Sequence, residues 1–316
     1  MLKDQRRIRF KWSREYRSAG VFFLMVFAAC SPSERKVIGV GGGPYEMNLF
    51  LKEENLVVGR EIELAFQLSD SRSGKIVENL QLAHERLMHI FVTDERLEDF
   101  DHLHVKPQIE NEVDSKGRFL VKHAFEKSGV YQVVAEFVHR NRIWNKSFKI
   151  VIDDSNGAKS SSDPSRKIMI RDKYTALLMT PEKIVSGKEV ELMLEVKRDG
   201  LPVQNLQLFL GSELHGAVWR DDLKNFGHLH SFTPKMKKLI EEIRMREKRD
   251  NISPSELQEV LVEVMCGNNE LIFSGPSVPL RYTFPAPGKY RLFAEIAPNG
   301  IPKTFSFNVE VGFPDI

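Results

Sequence analysis

Two stretches of this sequence repeat each other: Phe125-Glu-Lys-Ser-Gly-Val-Tyr-Gln-Val-Val-Ala-Glu136 returns as Phe284-Pro-Ala-Pro-Gly-Lys-Tyr-Arg-Leu-Phe-Ala-Glu295. Each places Gly-x-Tyr before an apolar run, a combination typical of the tyrosine corner in immunoglobulin-like β-sandwiches. A structural signature that occurs twice indicates a duplicated domain. The two stretches therefore predict two copies of one β-sandwich.

The repeat continues upstream in both copies. The segment His89–His104 matches His215–His230 at an offset of 126 residues, whereas the two stretches above are 159 residues apart. The second copy must therefore carry an insertion of about 33 residues after His230. Polar and apolar residues alternate over Glu61–Leu68 and Glu189–Val196, which is the pattern of strands with one buried face.

The insertion has the pattern of two helices. Met236–Arg249 is rich in Lys, Glu and Ile and lacks Pro and Gly, and Ser253-Pro-Ser-Glu256 has the features of a helix start. We expect an αα-hairpin on the edge of the second sandwich; a docking element for a protein partner is the alternative. The predicted organisation is mainly β: a signal peptide (1–29), a tether (30–48), a first sandwich (49–153), a linker (154–167), and a second sandwich (168–316) with a helical insertion (235–267).

The N-terminal segment resembles a bacterial lipoprotein signal peptide. A basic stretch ends at Arg17, an apolar run follows, and Phe27-Ala-Ala-Cys30 is similar to a lipobox, with Phe27 where Leu is usual. Eleven apolar residues in a helix span about 16 Å, too short for a stable membrane span. We expect lipidation at Cys30 and a membrane-anchored, extracytoplasmic protein of the cell envelope, in the periplasm or on the outer membrane. An ordinary secretory signal is the alternative.

Charge and cysteine content limit the function classes. Residues 1–29 carry seven basic and two acidic side chains, so the formal charge of +2 leaves about −3 for the rest of the chain. A nearly neutral mature protein argues against nucleic-acid binding. Cys266 is the only other cysteine in the sequence, so a lipidated Cys30 would leave it without a disulfide partner.

Six histidines fall in one repeated frame: His89, His102 and His104 in the first copy, and His215, His228 and His230 in the second. Residues two apart on a strand share a face. A hairpin that turns near Arg96 and Leu97 would place His89 opposite His104, and His102 opposite Phe91. Opposed side chains lie about 5 Å apart at Cβ, so three imidazoles would converge in each copy.

Three imidazoles suit Zn or Cu and leave a fourth coordination position open. We therefore predict one Zn or Cu site per copy, although structural histidines in a duplicated domain would show the same repetition. His84, His123 and His139 have no counterpart and are expected at the surface. Candidates for a further ligand or support are Asp94, Asp99 and Met88 in the first copy, Asp221 and Asp222 in the second, and Cys266 if the insertion folds over a site.

Leu87–His104, followed by Phe-x-x-x-Gly-x-Tyr, resembles a group of bacterial secreted proteins and is similar to YtkA-like and CopC-like sandwiches. The resemblance implies immunoglobulin-like sandwiches and a link to metal handling. It covers both repeats but not the signal, the tether or the insertion. The Pro that follows His-Leu-His in that pattern is displaced here, to Pro107 and Pro234.

Two classes of function follow from these patterns. One is a lipid-anchored binding protein for Zn or Cu; the other is a structural or surface-interaction lipoprotein whose histidines are structural and whose insertion contacts a protein. The sequence has no nucleophile motif, phosphate loop or CxxC, so an enzyme is the weaker class. An enzyme would use the open metal position as a Lewis acid.

Overall fold

The computed structural model describes residues 34–52, 56–105, 113–154, 173–234 and 271–314, the backbone of 168–171, and residues 237, 238, 241, 242 and 245. The chain divides into two compact units, Met1–Ser31 and Pro32–Ile316, and all described residues belong to the second. The predicted signal peptide and the predicted lipidation site at Cys30 lie outside them. Across the part that the structure covers, no helix has the length and apolarity to cross a membrane.

The first repeat is a β-sandwich of two antiparallel sheets. One sheet has the strand order β1-β2-β3-β6, and the other has the order β5-β4-β7-β8. Within the described residues, its strands are β1 (Arg35–Ile38), β2 (Tyr45–Leu51), β3 (Glu61–Asp70), β4 (Met88–Asp94), β5 (Phe100–Val105), β6 (Arg118–Ala124), β7 (Gly129–His139) and β8 (Arg142–Ile152).

The second repeat forms the same two layers. One sheet has the order β12-β11-β10-β9, with β16 also paired to β11; the other has the order β13-β17-β14-β15, with β18 also paired to β17. Its described strands are β9 (Ile168–Arg171), β10 (Tyr174–Met179), β11 (Glu189–Arg198), β12 (Leu201–Pro202), β13 (Leu206–Gln207), β14 (His215–Arg220), β15 (Phe226–His230), β16 (Ser277–Thr283), β17 (Gly288–Pro298) and β18 (Lys303–Val311).

Each sandwich encloses its own core, as the alternating pattern predicted. In β3 and β11 the apolar residues of the alternation are the buried ones: Ile62, Leu64, Phe66 and Leu68 in the first, and Val190, Leu192, Leu194 and Val196 in the second. Burying one such side chain stabilises the fold by about 1.5–3 kcal/mol. The predicted tyrosine corners are confirmed, since Tyr131 donates a hydrogen bond to the Lys127 carbonyl and Tyr290 donates one to the Ala286 carbonyl.

The first sandwich begins earlier than the sequence indicated. Strand β1 and the first residues of β2 occupy part of the predicted tether, and Met47 is fully buried. Two glycines of this segment allow a close crossing: a Cβ at Gly39 would lie 2.8 Å from the Phe148 ring, and one at Gly43 would overlap the Trp144 ring. Part of the predicted tether therefore belongs to the fold.

The predicted helical hairpin at 235–267 falls largely outside the described residues. The residues that are described there, Pro234, Lys237, Lys238, Glu241, Glu242 and Met245, have helical backbone. Residues 155–167 of the predicted linker also lie outside the described ranges.

The two sandwiches pack against each other through the outer faces of one sheet each. The sheet containing β4 and β7 meets the sheet containing β14 and β17, and we call this contact the seam. A separate apolar cluster fills one part of it: Phe91, Leu97, Val134, Ala217, Trp219 and Phe293. The rings of Phe100 and Phe293, one from each repeat, stack with their centroids 4.4 Å apart. The seam therefore has a core of its own.

Candidate metal centre

The predicted histidine hairpins are confirmed in both repeats. In the first, β4 pairs with β5 so that His89 lies opposite His104 and Phe91 opposite His102. In the second, β14 pairs with β15 so that His215 lies opposite His230. The alternate residues of these strands, such as Ile90 and Val92, point into the sandwich core. The histidines therefore lie on the outer faces, which are the faces that form the seam.

The first histidine group consists of His89, His102 and His104. Its ligand atoms all lie within 4.8 Å of one another. The Nε2 atom of His102 is 3.1 Å from Nδ1 of His89 and 3.0 Å from Nε2 of His104. Nitrogens on a tetrahedral Zn ion with Zn–N bonds of about 2.0–2.1 Å are separated by about 3.3 Å. The three nitrogens thus already converge nearly as they would around one ion.

The second histidine group consists of His84, His215, His228 and His230. The ligand atoms of His84, His215 and His230 lie within 4.8 Å of one another. The ring centroids of His228 and His230 are 4.2 Å apart, close to the 4.1 Å between their counterparts His102 and His104. The second repeat therefore has the same hairpin as the first, but the three ligand atoms that converge are those of His84, His215 and His230, with His228 beside them.

The two groups adjoin across the seam. The ring centroids of His89 and His228 are 5.2 Å apart, and those of His89 and His215 are 6.1 Å apart. Seven imidazoles from two repeats therefore form one continuous cluster. The separate sites predicted for the two copies are not separate in space, because both hairpins face the same seam.

Two buried glutamates cross the seam to reach these histidines. Oε2 of Glu295, in the second repeat, lies 2.6 Å from Nδ1 of His102 in the first. Oε1 of Glu136, in the first repeat, lies 2.7 Å from Nδ1 of His228 in the second. Each glutamate lies on the strand next to the hairpin of its own repeat: Glu295 is opposite His215, and Glu136 is opposite His89. Both carboxyls nevertheless contact the other repeat.

Backbone carbonyls hold two further imidazoles. Nε2 of His89 donates to the Ala83 carbonyl at 2.9 Å, and Nε2 of His215 donates to the Leu210 carbonyl at 3.1 Å. A carbonyl only accepts, so the proton resides on Nε2 and the lone pair on Nδ1 faces the cluster. Among the described residues, buried ring nitrogens without a hydrogen-bond partner of ordinary geometry include His215 Nδ1, His228 Nε2, His230 Nε2 and both nitrogens of His84.

Burial disfavours the protonated form of six of the seven imidazoles. It lowers the pKa of His84 to about 3 and that of His89 to about 4, and it holds the pKa values of His102, His215, His228 and His230 well below the ordinary range. Burial also raises the pKa of Glu136 and of Glu295 to about 8. A neutral imidazole with a free lone pair on one ring nitrogen is the form that binds metal ions.

Several other candidates have different roles. Asp94 accepts hydrogen bonds from the backbone N–H groups of Glu98 and Asp99 and closes the hairpin turn, and Asp222 pairs with Arg220. Asp99 accepts a hydrogen bond from Tyr131 at 2.5 Å. Met88 packs in the first core, on the opposite face of β4 from His89. Cys266 lies outside the described residues.

The expectation that His84 and His139 are surface residues is wrong, because they expose only 6% and 7% of their surface. His84 joins the second group, and the His139 ring lies 2.6 Å from the Tyr45 hydroxyl. His123 is half-buried, near Asp101.

Sequence reasoning missed both glutamates and His84. A signal for the glutamates was present, since Ala-Glu ends each repeated stretch and places a charge in an otherwise apolar strand. His84 had no such signal, because repeat 2 has Leu210 at the matching position and the contact crosses between repeats.

Comparisons with known proteins agree with a duplicated domain. The family model described as a domain of unknown function (DUF8832) matches twice, over residues 40–154 and 169–312. No curated protein matches the sequence.

Among solved structures, a mutant of Salmonella alpha-2-macroglobulin aligns with 88% of the chain at 12% identity and a TM-score of 0.23, and the chain spans only 15% of that protein's length. Fibronectin(III)-like modules of Clostridium thermocellum CbhA align with 84% of the chain and 94% of their own length at 8% identity and a TM-score of 0.21. A putative membrane anchored protein from Corynebacterium diphtheriae aligns with 87% of the chain and 60% of its own length at 12% identity and a TM-score of 0.22.

Likenesses at this level carry no functional information. The two matches of the family model, by contrast, cover most of the chain and coincide with the two sandwiches. The chain belongs to the DUF8832 family.

Proposed function

We propose that this protein binds Zn or Cu ions in the histidine cluster at the seam. One observation carries the proposal: in His89, His102, His215 and His228, the ring nitrogen that faces away from the cluster is held by a carbonyl or a carboxyl. Metal-ligating histidines are fixed in this way, because the second hydrogen bond sets the tautomer and orients the ring. A histidine whose role is only packing does not need this combination of a hydrogen-bond partner on one ring nitrogen and a free lone pair on the other.

The donor set favours Zn or Cu over harder ions. Imidazole nitrogens suit Zn and Cu, whereas Mg and Ca prefer oxygen ligands. Both carboxyls contact histidine Nδ1 atoms. The two carboxyls would orient the metal-binding imidazoles. Each carboxyl belongs to one repeat and contacts a histidine of the other.

Metal titration followed by elemental analysis tests this proposal. We expect binding tighter than about 10 µM for a chain lacking residues 1–30. The double variant His102→Ala/His104→Ala should lose one ion per chain. His123→Ala is the matched control, because that histidine lies outside the cluster. Binding weaker than this limit, or equal binding in the double variant and the wild type, would refute the proposal.

We also propose that the protein acts outside the cytoplasm, anchored through a lipid on Cys30. The support is the lipobox-like Phe27-Ala-Ala-Cys30 after a short apolar run. Mass spectrometry of the mature N terminus should find Cys30 as the first residue, carrying the mass of a diacylglycerol. A Cys30→Ser variant should leave the membrane fraction. Recovery of an unmodified Cys30 in the mature chain would overturn this assignment.

A further inference from the structure

The two histidine groups face each other from opposite sides of the seam. In the first group, the Nδ1 lone pair of His89 points into the cluster, because Nε2 donates to the Ala83 carbonyl. In the second group, the Nδ1 lone pair of His215 points into the cluster, because Nε2 donates to the Leu210 carbonyl. Ions bound to these two nitrogens would therefore lie in the same space between the two sheets.

Rings of different groups are almost as close as rings of the same group. Within the first group the ring centroids are 4.1 to 5.3 Å apart, and those of His84, His215 and His230 are 3.8 to 5.0 Å apart. Between the groups, the centroid of His215 is 5.8 Å from that of His102 and 6.1 Å from that of His89. Because a metal–imidazole bond is only about 2 Å long, the two ions would be neighbours.

His228 is the member of the second group that extends toward the first. Its ring centroid is 4.2 Å from that of His230 in its own group and 5.2 Å from that of His89 in the first. Its Nδ1 atom contacts Glu136, whereas its Nε2 atom is buried and has no hydrogen-bond partner of ordinary geometry among the described residues. Nitrogen donors therefore continue from one group to the other.

The two glutamates provide charge for such a pair. Two divalent ions at close range repel each other, which is unfavourable in a buried site unless opposite charge is near. Glu295 contacts His102 in the first group at 2.6 Å, and Glu136 contacts His228 in the second at 2.7 Å. Both carboxyls are buried at the seam, and in the ionised form they would offset part of the charge of the two ions.

We infer that the two groups hold their ions as one dinuclear centre, in which the ions are close enough for their electron spins to interact. This inference rests on the proposed metal binding and adds that the two ions form a pair. The pair needs both repeats, because the three ligand atoms that converge in the second group include one from His84, a residue of the first repeat.

Electron paramagnetic resonance of the Cu(II)-loaded chain tests the inference. We expect the wild type to bind two Cu(II) ions per chain and to show spin coupling, as a half-field transition or as an integrated signal below two spins. His123→Ala is the control and should keep both features, since that histidine lies outside the cluster. If the chain takes up Zn but not Cu(II), Co(II) replaces Zn as the paramagnetic probe, and magnetic susceptibility measures the coupling.

Two variants assign the ions to the two groups. His84→Asn removes a ligand atom of the second group and suits the turn, because Asn tolerates the positive φ of 46° at this position. His102→Ala/His104→Ala removes two ligand atoms of the first group. Each variant should keep one Cu(II) with a full, uncoupled signal, and circular dichroism shows whether it is folded.

The wild-type spectrum decides the inference even where a variant loses both ions. Two isolated Cu(II) signals in the wild type, or uptake of a single ion per chain, would overturn the dinuclear centre. Coupling that survives in either variant would overturn it as well, since the paired ions would then lie elsewhere. A chain that takes up neither Zn nor Cu would instead contradict the proposed metal binding, so the two failures are distinguishable.

Discussion

The two faces of the seam come from equivalent strands, yet they have kept some residues and changed others. The polar part is the same in both repeats: three histidines and one glutamate stand at matching positions. The apolar part differs. Phe91 faces the seam where the second repeat has Ala217, and Thr93 is matched by Trp219. Large residues on one face correspond to small ones on the other.

This difference shows what a tandem duplication permits. In a symmetric dimer of identical chains, both faces must carry the same residues, so bulk cannot be placed on one side only. Once the repeats are joined in one chain, their faces can become complementary in shape. Here the chemistry stayed symmetric while the packing diverged, apart from His84, which also makes the chemistry unequal.

Acid should have the largest effect on the seam. The six histidines of the cluster whose pKa values are lowered are neutral in the folded protein but take up protons in the unfolded chain below pH 6.5. Each therefore costs about 1.4 kcal/mol of stability per pH unit in that range, until its folded pKa is reached. His84 and His89 together account for about 4 kcal/mol at pH 5.

The glutamates act in the opposite direction. Their raised pKa values contribute stability that is complete below pH 4.5 and is lost as the pH rises through about 8. The two glutamates have a smaller effect on stability than the six histidines. The metal-free protein should therefore be most stable near neutral pH, with a steep loss of stability below pH 6 and a shallow loss above pH 7. Urea unfolding at several pH values checks this. A flat profile between pH 5 and 7 would mean that the histidines are solvated.

Trp219→Ala should come next, because it empties the largest side chain of the seam. We expect a loss of about 3–5 kcal/mol, as for other buried aromatic residues. Thr93→Ala, at the equivalent position, should cost only about 1 kcal/mol, mainly from the lost hydrogen bond to the Asp99 carbonyl. Urea denaturation of the metal-free proteins measures both. Equal losses would show that the two faces contribute equally after all.

Replacing either of the two glutamates that contact the other repeat should weaken metal binding by a similar factor. Glu295→Gln should lower affinity at the first group, and Glu136→Gln at the second, by about 10–100-fold each. Glu310→Gln is the control, since that side chain is exposed on β18. Competition with a coloured chelator gives the affinities. Unchanged affinity in both glutamine variants would show that the carboxyls do not support metal ligands.

The tyrosine corners should show the smallest effects. Tyr131→Phe removes the one O–H that the Asp99 carboxylate (2.5 Å) and the Lys127 carbonyl (3.2 Å) share as acceptors, whereas Tyr290→Phe removes the bond to the Ala286 carbonyl. We expect losses of about 2 kcal/mol and about 1 kcal/mol respectively, because a bond to a charged acceptor is stronger. Thermal unfolding would resolve this order. The reverse order would contradict the extra role of Asp99 in the first repeat.

Local patterns were sufficient to predict the sandwiches and the hairpins. The register that puts His89 opposite His104 follows from a period of two residues and one turn, so it needs no long-range information. The pairing of the two sandwiches does need long-range information, because the periodicity of a strand does not indicate which outer face another sheet will cover. That is why the histidines were assigned to two separate sites, and why Glu136 and Glu295 were overlooked.

Glycines and turns were the other source of error. The sequence predicts a tether over 30–48, whereas Gly39 and Gly43 within it allow the chain to pass closely against Phe148 and Trp144. A glycine cluster has the same composition in both situations, and only the rings that it meets distinguish them. His84 was misjudged for a similar reason, because its destination lies in the other repeat.

The crossed contact between His102 and Glu295 joins residues that are 193 positions apart. During synthesis, the first sandwich would be complete long before Glu295 is added, because domains fold as units from the N terminus. In that interval, the Nδ1 atom of His102 would have no carboxyl beside it. The histidine cluster is therefore completed only when the second repeat is in place, and a chain that ends before Glu295 would lack the carboxyl that contacts His102.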